Sequence, residues 1–250
     1  MKVVVIGGTG LVGSKLVEQL GQAGHAAIAA ARSTGVDTTT GAGLDAVLDG
    51  ADAVVDASNP GYADPAEMLR FFELSSRTLL AAEKRAEVRH HIVFSAIGTG
   101  RVTGGYYRAK DVQEALVARS GIPFTIVRSA PLFEYIYDAF DADRAAEAVR
   151  VPSIRIQPIA ADDAAAELLR LLQRPPVNAV VEVAGPNIYQ LPSLAQQILT
   201  AKDDYRPVVT DGDATFFGAR MTGEALTGGA EVEPDSISFQ DWLRRSLAPA

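Results

Sequence analysis

Tyr106 and Lys110 are the residues of this sequence whose types and spacing best suit proton transfer. They lie four residues apart in "GYYRAKDVQE", so a helix here would present both on one face. A phenol with its usual pKa of about 10 is a poor acid at neutral pH, and a nearby ammonium group lowers that pKa because it favours the phenolate. Tyr106 could then exchange a proton with a carbonyl or alcohol oxygen. The alternative is that Tyr106 packs and Lys110 is solvated, because Tyr–x–x–x–Lys is a common pattern.

Three glycines near the N-terminus suggest a phosphate site. Gly7, Gly10 and Gly13 follow the apolar run "KVVVI" and lead into the helix-like "LVGSKLVEQL". In a strand–turn–helix unit the first glycine permits the tight turn, the second admits a pyrophosphate to the backbone, and the third lets the helix pack closely. The phosphate would meet amide hydrogens and the helix dipole at the helix N-terminus. A tight turn without a ligand is the alternative, but the flanking strand and helix favour a dinucleotide site.

The second apolar run bears on which dinucleotide is bound. An acidic residue about 20 positions after the glycines binds a ribose 2′-hydroxyl, whereas an arginine suits a 2′-phosphate. The chain has "AARST" there, without an acid, and Arg32 with Ser33 could bind that phosphate. We therefore expect NADP rather than NAD. The alternative is that Arg32 is the solvated end of a strand.

Other side chains with chemical potential have weaker patterns. Ser95, near the end of "RHHIVFSAI", or Thr99 could supply a further hydrogen bond near Tyr106, although a serine at a strand end is as readily structural. His90 and His91 are adjacent and point to opposite faces of a strand. With the distant His25 they lack metal-ligand spacing, and no metal site is expected.

Composition and charge restrict the partners. The 250 residues include 23 basic and 31 acidic side chains, a net charge of −8, and the pI is near 4.9. Direct binding to nucleic acid is therefore not expected. The apolar stretches fall short of the roughly 20 residues of a spanning helix, so no membrane segment is expected. The chain has no cysteine, which excludes disulfides and fits a cytoplasmic location.

Apolar runs alternate with helix-like segments over residues 1–130, and these elements must position the candidate residues. Strands are predicted over residues 2–8, 25–32, 52–58, 89–97 and 123–130. Helices are predicted over residues 11–24, 64–87 and 106–121, with Asp64 as the cap of the second and Pro65 at its first position. Apolar strands separated by helices predict an α/β fold, a doubly wound, Rossmann-like parallel sheet. Its ligand crevice lies beyond the carboxyl ends of the strands.

Residues 131–250 are expected to form a smaller substrate-binding region, intertwined with the core of residues 1–130 as one structural unit. Its segments are predicted as helix 132–150, strand 153–160, helix 162–174 capped by Asp162 or Asp163, strand 179–186, helix 191–202 and a weak tail. We expect this half to extend the sheet and to build a small lid over the crevice. Its segment "PLFEYIYDAF" would supply the substrate wall, formed by Phe133, Tyr135, Ile136 and Phe140.

Taken together, these motifs resemble the short-chain dehydrogenase/reductase superfamily, in its atypical, NmrA-like branch. The segments that carry the resemblance are "GGTGLVGSKL", "AARS", "VVDASNP", "HIVFSAIG", "YYRAKDVQEALVARSGIPFTIVRSAPLFEY" and "IQPIAADDAAAELLRLL". They cover most of residues 1–172.

The resemblance implies a role for each matching position. It implies a pyrophosphate site at Gly7, Thr9, Gly10, Leu11 and Val12. It implies a 2′-phosphate site at Arg32 and Ser33, with Asp37 beside the adenine. The cofactor ribose would lie along Ala57, Ser58 and Asn59, and the nicotinamide near Ser95, Ala96 and Ile97. Tyr106 and Lys110 would be catalytic, and Lys110 would also hold the nicotinamide ribose.

The resulting expectation is an NADP-dependent oxidoreductase that reduces a small carbonyl or quinone-type substrate, as a monomer or homodimer. Family members that only sense the nucleotide lack the tyrosine, the lysine or both, whereas this chain has both. A regulator that binds NADP(H) without turnover is one alternative, and a non-redox epimerase or dehydratase is another. The short carboxyl half leaves little room for a sugar nucleotide. The eleven-residue spacing from Ser95 to Tyr106 is shorter than in the epimerases, which weakens a catalytic role for Ser95.

Overall fold

Parallel strands covered by helices form the larger part of the computed structural model, which describes residues 1–61, 64–141, 145–228 and 236–247. The strands are β1 (Lys2–Ile6), β2 (Ala26–Ala30), β3 (Ala53–Asp56), β4 (His90–Ala96), β5 (Phe124–Ser129), β6 (Val149–Val151), β7 (Ile154–Ile156), β8 (Val180–Val183), β9 (Tyr189–Gln190), β10 (Val208–Thr210) and β11 (Gly223–Leu226). The helices are α1 (Leu11–Gln22), α2 (Leu44–Leu48), α3 (Pro65–Arg85), α4 (Gly105–Ala118), α5 (Phe133–Ala139), α6 (Ala161–Leu172), α7 (Leu191–Ala201) and α8 (Phe239–Leu247).

Six strands make one parallel sheet in the order β2-β1-β3-β4-β5-β8. The chain leaves β1 toward β2 and then returns past β1 to β3, so the strand order reverses between β1 and β3. Such a switch point opens a crevice at the carboxyl ends of the strands. The predicted doubly wound, Rossmann-like α/β fold is confirmed.

Helices cover both faces of this sheet, which explains why residues 3–6 of strand β1 are all apolar. Val3 and Val5 face a core shared with α1 and α6, whereas Val4 and Ile6 face a core that α2 and α3 complete. Helices α3 and α4 pack side by side on that second face. Because α4 carries Tyr106 and Lys110, this packing fixes where both side chains meet the crevice.

The predicted start of the long helix is confirmed. The Asp64 carboxylate accepts hydrogen bonds from the amides of Ala66 at 2.9 Å and Glu67 at 3.2 Å, and Pro65 occupies the first helical position. A carboxylate at this place binds amides that have no partner within the helix, and proline costs nothing where no amide is needed.

After residue 130 the chain contributes to two layers. Helix α6 packs on α1, and β8 extends the main sheet beside β5. The remaining elements surround a second core with short sheets of their own, in the order β11-β7-β9 and in a β10–β6 pair. The expected extension of the sheet is therefore confirmed. The division at residue 130 stays a prediction.

The single helix predicted over residues 132–150 is wrong. Helix α5 ends at Ala139, and Val149–Val151 is strand β6; residues 142–144 lie outside the described part of the chain. Lys202 donates a hydrogen bond to the carbonyl of Tyr137 and thereby satisfies the end of α5. Val149 and Val151 are buried and pair with β10, so their β-branched side chains favour a strand there.

The predicted capping of α6 by Asp162 or Asp163 is also wrong. The helix starts at Ala161, and the carboxylate of Glu134 in α5 accepts from the Ala161 amide at 3.3 Å. Asp162 pairs with Lys15 of α1 at 2.9 Å, and Asp163 accepts from the amide of Ile237 at 2.7 Å. The aspartates thus bind neighbouring elements, and the cap comes from a residue distant in sequence.

The tail, expected to be weak, adds to the second core. Phe239 and Trp242 of α8 are buried, and their rings stack 5.9 Å apart. Trp242 also donates a hydrogen bond from its indole to Glu134 at 3.0 Å. Helix α8 is therefore tied to the carboxylate that caps α6.

Candidate functional site

A cavity of about 430 Å³ opens at the carboxyl ends of the central strands. The structure brings most of the residues predicted for a site together on its wall. These are Gly7, Thr9, Gly10, Leu11, Val12, Arg32, Ser33, Ala57, Ser58, Asn59, Ser95, Ala96, Ile97, Tyr106, Lys110 and Tyr135. The turn after β1, the ends of β2 to β4 and helix α4 therefore share one cavity, as the parallel sheet requires.

Five of the residues predicted to bind the cofactor or the substrate lie away from this wall, and so does Thr99, the alternative to Ser95. Phe133 and Ile136 are buried in the second core, where Phe133 packs against Phe239 at 5.5 Å between ring centres. Phe140 belongs to the same core, and the expectation that these three form a substrate wall is corrected. The face of α5 that carries Phe133 packs against Phe239 and Trp242. The opposite face, which carries Tyr135, therefore lies toward the cavity. The other two, Gly13 and Asp37, support wall residues from behind.

The glycine turn leaves no space for side chains. Gly7 has a φ of +73°, and a Cβ there would lie 2.8 Å from the carbonyl oxygen of Ala57. A Cβ on Gly13 would lie 2.2 Å from the carbonyl oxygen of Gly7, so the first turn of α1 packs directly on the loop. Glycine is thus required at both positions, and α1 is held with its N-terminus at the cavity.

Two observations test whether a dinucleotide fits this cavity. Helix α1 begins after Gly10 with no side-chain cap and no acidic residue in its first turn, so its first amides face the cavity without a competing carboxylate. The hydroxyl of Ser58, on the cavity wall, is buried and has no hydrogen-bond partner among the described residues. An anionic group would provide acceptors for the first amides of α1, and a polar group would provide a partner for the Ser58 hydroxyl. A dinucleotide has both, so the residues present fit the cofactor.

Arg32 stands at the outer end of the cavity on a short turn of 3-10 helix after β2, with 70% of its side chain exposed. Its Nε lies 3.2 Å from a carboxylate oxygen of Asp37. The Thr39 hydroxyl and amide bind the other oxygen at 2.6 and 2.8 Å. These bonds, with the Arg32 charge, hold the pKa of Asp37 below its usual value. Asp37 is thus a fixed anion that orients Arg32.

Lys110 is fully buried beneath the cavity. Its ammonium group donates to the carbonyl oxygen of Phe94 at 2.9 Å and to Oε1 of Gln113 at 2.8 Å. It lies 4.2 Å from the ring centre of Phe72 and 5.6 Å from that of Tyr106. Burial lowers the pKa of Lys110 to about 8, against the nearby carboxylates of Asp56 and Glu114, which raise it. An ammonium has three N–H donors, and in the described part of the chain two have acceptors.

Tyr106 occupies the same wall in the first turn of α4. It is 8% exposed, and its ring packs edge-on against Phe72 and Tyr107, with ring centres 6.1 and 5.8 Å away. These aromatic contacts fix the ring plane, while the four-residue spacing keeps Lys110 below it. The predicted common face of the helix is confirmed.

Ser95 is also on the wall, but its hydroxyl points to another partner. It donates to Oε1 of Glu114 at 2.6 Å. The same carboxylate accepts two hydrogen bonds from Arg128, at 3.0 and 2.7 Å. The proton of Ser95 is thus held by a carboxylate that a guanidinium already orients.

Sequence reasoning missed the buried polar residues that surround Lys110. Gln113 and Glu114 follow Lys110 by three and four positions, so helical spacing alone indicates that they share its face. Asp56 ends a buried strand and accepts from Nε2 of Gln113 at 2.9 Å. A charged residue in an otherwise apolar strand was the available signal for Asp56.

The two adjacent histidines face opposite sides of β4, as predicted. His91 meets both carboxylate oxygens of Glu83 at 2.9 Å, and His90 meets the Thr125 hydroxyl at 2.9 Å. Neither lines the cavity. Within the described residues, no cluster of three or more His, Cys, Asp and Glu side chains is arranged to hold a metal ion.

The fold and the glycine turn define a dinucleotide-binding, Rossmann-like protein. A family model described as NAD(P)H-binding matches residues 7–175, and the chain belongs to that family. No curated protein matches the sequence. None of the helices in the described ranges has the length and apolarity to cross a membrane.

Solved structures share the fold at low sequence identity. A UDP-glucose 4-epimerase from Bifidobacterium longum, in complex with NAD+ and UDP, has a TM-score of 0.75 at 13% identity, over 99% of this chain and 97% of that one. The UDP-glucose 4-epimerase of Thermotoga maritima gives 0.73 at 15%, over 99% and 100%. A dTDP-4-dehydrorhamnose reductase from Clostridium acetobutylicum gives 0.67 at 15%, over 84% of each chain. The fold is thus one that reductases and epimerases share.

Proposed function

We propose that the protein is a cytoplasmic NADP-dependent oxidoreductase of the NmrA-like branch, monomeric or dimeric, that reduces a small carbonyl or quinone-type substrate. One observation carries the proposal. Tyr106 and a buried, cationic Lys110 lie on the wall of the same cavity as the glycine turn, with the Lys110 nitrogen 5.6 Å from the Tyr106 ring centre.

The cofactor would extend along the wall from Arg32 to Tyr106. The α1 amides after Gly10 would hold its pyrophosphate, and the Ser58 hydroxyl would meet a ribose hydroxyl. Lys110 has a donor left for the second ribose. NADPH, when bound, would supply the hydride for reduction of the carbonyl carbon.

The chain's own residues would handle the accompanying proton. Tyr106 donates its phenolic proton to the carbonyl oxygen as hydride reaches the carbon, so that an alcohol forms. The ammonium group of Lys110 stabilises the phenolate left on Tyr106, and a proton from solvent restores the phenol. The rings of Phe71, Tyr135 and Phe217 on the cavity wall would keep water from the reacting atoms.

The preference for NADP is proposed on Arg32. An exposed guanidinium held by Asp37 at the outer end of the cavity offers two parallel donors to a 2′-phosphate. We expect Arg32→Ala to weaken NADPH binding roughly ten- to hundredfold, the range of a lost charged hydrogen bond, and to leave NADH binding nearly unchanged. Fluorescence titration measures both, with Arg77→Ala on the outside of α3 as control. Equal losses for the two cofactors would contradict the assignment.

Turnover itself is tested with a panel of quinones and aldehydes and NADPH. We expect Tyr106→Phe to lower the rate at least about 100-fold with little change in NADPH affinity. Tyr137→Phe on α5, away from the cavity, is the matched control. The regulatory alternative would be favoured if the purified protein binds NADPH but oxidises it with none of the quinones or aldehydes, and if Tyr106→Phe changes nothing.

The structural likeness to epimerases favours a second candidate, a non-redox epimerase or dehydratase. A sugar nucleotide brings a diphosphate that needs cations. Of the described residues on the cavity wall, Arg32 and Lys110 carry a positive charge, and both are assigned to the cofactor. The substrate end, with Pro131, Leu132 and Phe217, is apolar, which supports a small neutral carbonyl compound. Net oxidation of NADPH during turnover distinguishes the two reactions.

A further inference from the structure

We propose that Asp56 and Gln113 are positioning residues for Lys110, which hold its ammonium group at the cavity through a buried chain of hydrogen bonds. This inference rests on the function proposed above, because it assigns Lys110 a part in binding and proton transfer. It concerns two residues for which the sequence predicted no role.

The chain of hydrogen bonds is continuous and directional. Lys110 Nζ donates to Oε1 of Gln113 at 2.8 Å, and Nε2 of Gln113 donates to Oδ2 of Asp56 at 2.9 Å. The other oxygen of Asp56 accepts from the backbone amide of Ser58 at 3.0 Å. Gln113 is 0% exposed, Lys110 1% and Asp56 2%. Water therefore does not replace any of these bonds.

The same chain connects two parts of the cavity wall. Lys110 reaches it from α4, and Ser58 belongs to the loop after β3 that is expected to follow the cofactor ribose. Asp56 lies between Lys110 and Ser58 and holds both in place. Its Oδ2 accepts from Gln113, which binds Lys110, and its Oδ1 accepts from the backbone amide of Ser58. A change at Asp56 or Gln113 is thus transmitted to Lys110 without contact with a ligand.

Each element around Lys110 contributes a different group. Strand β3 contributes the Asp56 carboxylate, and α4 itself contributes Glu114. Strand β4 contributes the carbonyl of Phe94, and α3 contributes the Phe72 ring. Glu114 is already bound by a guanidinium and a serine hydroxyl. Asp56 accepts from neutral donors in the hydrogen bonds described, so its charge acts more fully on the ammonium group. Of the two carboxylates it raises the Lys110 pKa more.

The directionality makes a substitution that keeps the shape of Asp56 and removes its charge informative. In Asp56→Asn only one of the two hydrogen bonds to position 56 can be kept. If the new oxygen stays on the Ser58 amide, the new amide nitrogen faces Nε2 of Gln113 and two donors meet; in the other orientation the nitrogen faces the Ser58 amide. If Gln113 turned over, its nitrogen would face the ammonium group of Lys110 instead. The double variant Asp56→Asn/Gln113→Glu removes this conflict, because a carboxylate at position 113 accepts from Lys110 and from the new amide. The buried negative charge is then kept, one position closer to Lys110.

The experiment measures the titration of the Lys110 side chain directly. Lysine labelled with 13C and 15N reports the side-chain titration by NMR, and few other lysines are present, namely Lys2, Lys15, Lys84 and Lys202. Lys110→Arg identifies the signal. NADPH affinity and the pH dependence of the reduction rate are measured in parallel. The variants are Asp56→Asn, Gln113→Met and the double variant, and Val117→Ala, a buried truncation further along α4, controls for loss of stability.

We expect Asp56→Asn and Gln113→Met to lower the pKa of Lys110 by about one unit and to weaken NADPH binding several-fold. Because the ammonium form is needed, the alkaline fall of the reduction rate should move to lower pH by the same amount. The double variant should bring the Lys110 pKa back to at least the wild-type value, because its negative charge is closer, and should restore NADPH affinity. Val117→Ala should change neither.

An unchanged Lys110 titration in both single variants would overturn the inference, and so would a double variant that behaves as the singles do. If Asp56→Asn does not fold, Gln113→Met and the double variant still decide. If no substrate is turned over by the wild-type protein, the proposed function fails alone, because the NMR titration and NADPH affinity still test the role of Asp56 and Gln113.

Discussion

Two buried ionic clusters lie between the sheet and helices α3 and α4, and they differ in their access to the cavity. The cavity cluster consists of Asp56, Gln113 and Lys110, and Lys110 reaches the cavity wall. The closed cluster consists of Glu83 and His91, which contact each other at 2.9 Å and are 0% and 1% exposed. Both clusters combine opposite charges in the same layer of the protein.

The comparison shows that burial of charge does not by itself indicate a functional site. In the closed cluster the two ionisable groups contact each other directly through Nδ1 of His91, whereas its Nε2 is buried and has no hydrogen-bond partner among the described residues. Burial raises the pKa of Glu83. Burial by itself would lower the pKa of His91, but the neighbouring Glu83 carboxylate outweighs this effect and raises it. In the cavity cluster the amide of Gln113 separates the two charges, and the ammonium group keeps a donor for a ligand. Both clusters thus leave a polar group without a partner, and access to the cavity is what distinguishes a candidate for chemistry.

The largest effect is expected when the closed cluster is broken. Glu83→Leu should lower the free energy of unfolding by about 3–5 kcal/mol, because it leaves one member of a buried pair without the other. Glu83→Leu/His91→Leu should recover most of this loss, since both polar groups are then replaced by apolar ones. Urea denaturation at neutral pH measures both.

NADPH affinity of the folded Glu83→Leu protein, measured at low temperature, supplies the contrast between the clusters. We expect it to equal that of the wild-type protein. A weakened affinity would mean that the closed cluster also acts on the cavity, and the distinction between the two clusters would fail.

A smaller and opposite result is expected for the cavity cluster. Lys110→Met should lower the reduction rate roughly 100-fold, equivalent to about 2.7 kcal/mol, because the phenolate of Tyr106 loses its cation. Stability should fall by less than in Glu83→Leu, because Asp56 does not contact Lys110 directly and keeps its hydrogen bonds from Gln113 and the Ser58 amide. Kinetics with NADPH and urea denaturation test the two parts. A loss of stability as large as that of Glu83→Leu would show that Lys110 is mainly structural.

The two neighbouring histidines provide a separate test by pH, because His91 belongs to the closed cluster and His90 lies on the opposite face of β4. Burial, with the charge of His91, lowers the pKa of His90 to about 4 from its ordinary 6.5. The unfolded chain therefore binds a proton below pH 6.5 that the folded chain does not bind until about pH 4. Stability should fall as the pH drops through this window, by an amount on the order of 2 kcal/mol from His90.

His90→Gln should make the fall in stability between pH 6.5 and 4.5 shallower, as measured by thermal unfolding at a series of pH values. His91→Gln should instead change the dependence of stability on pH above pH 6.5. Its folded pKa is raised, so its contribution is complete below pH 6.5 and is lost as the pH rises through the raised value. The same acid slope in His90→Gln and wild-type protein would contradict this assignment.

Features that depend on one continuous segment were predicted well from the sequence. The strand, glycine turn and helix of residues 2–22 form a local unit, and the close approach of Gly7 and Gly13 occurs within it. The spacing of Tyr106 and Lys110 depends only on helical geometry. The alternation of apolar runs with helices predicted a parallel, doubly wound sheet, so the cavity at the carboxyl ends of its strands could be expected.

Features that depend on distant segments could not be predicted. Asp56 and Gln113 are 57 residues apart and meet only because β3 and α4 lie in adjacent layers. Helical spacing did not reveal which face of α5 lines the cavity, since Phe239 and Trp242, more than 100 residues later, cover the other face. Strand β6 likewise forms only because β10 is available to pair with it.

Ser95 gives the smallest expected effect and the finest test of what borders the cavity. Its hydroxyl proton is held by Glu114 at 2.6 Å, and Arg128 fixes that carboxylate, so the proton points away from a substrate oxygen. Ser95→Ala should therefore lower the reduction rate less than about tenfold, against a far larger loss for Tyr106→Phe. Ser75→Ala, buried in α3, is the control for removal of a hydroxyl.

A loss of rate in Ser95→Ala as large as that of Tyr106→Phe, at unchanged NADPH affinity, would mean that the Ser95 hydroxyl turns from Glu114 to the substrate. In that case Glu114→Gln, which weakens the competing acceptor, should raise the rate, whereas a merely structural contact predicts that it does not.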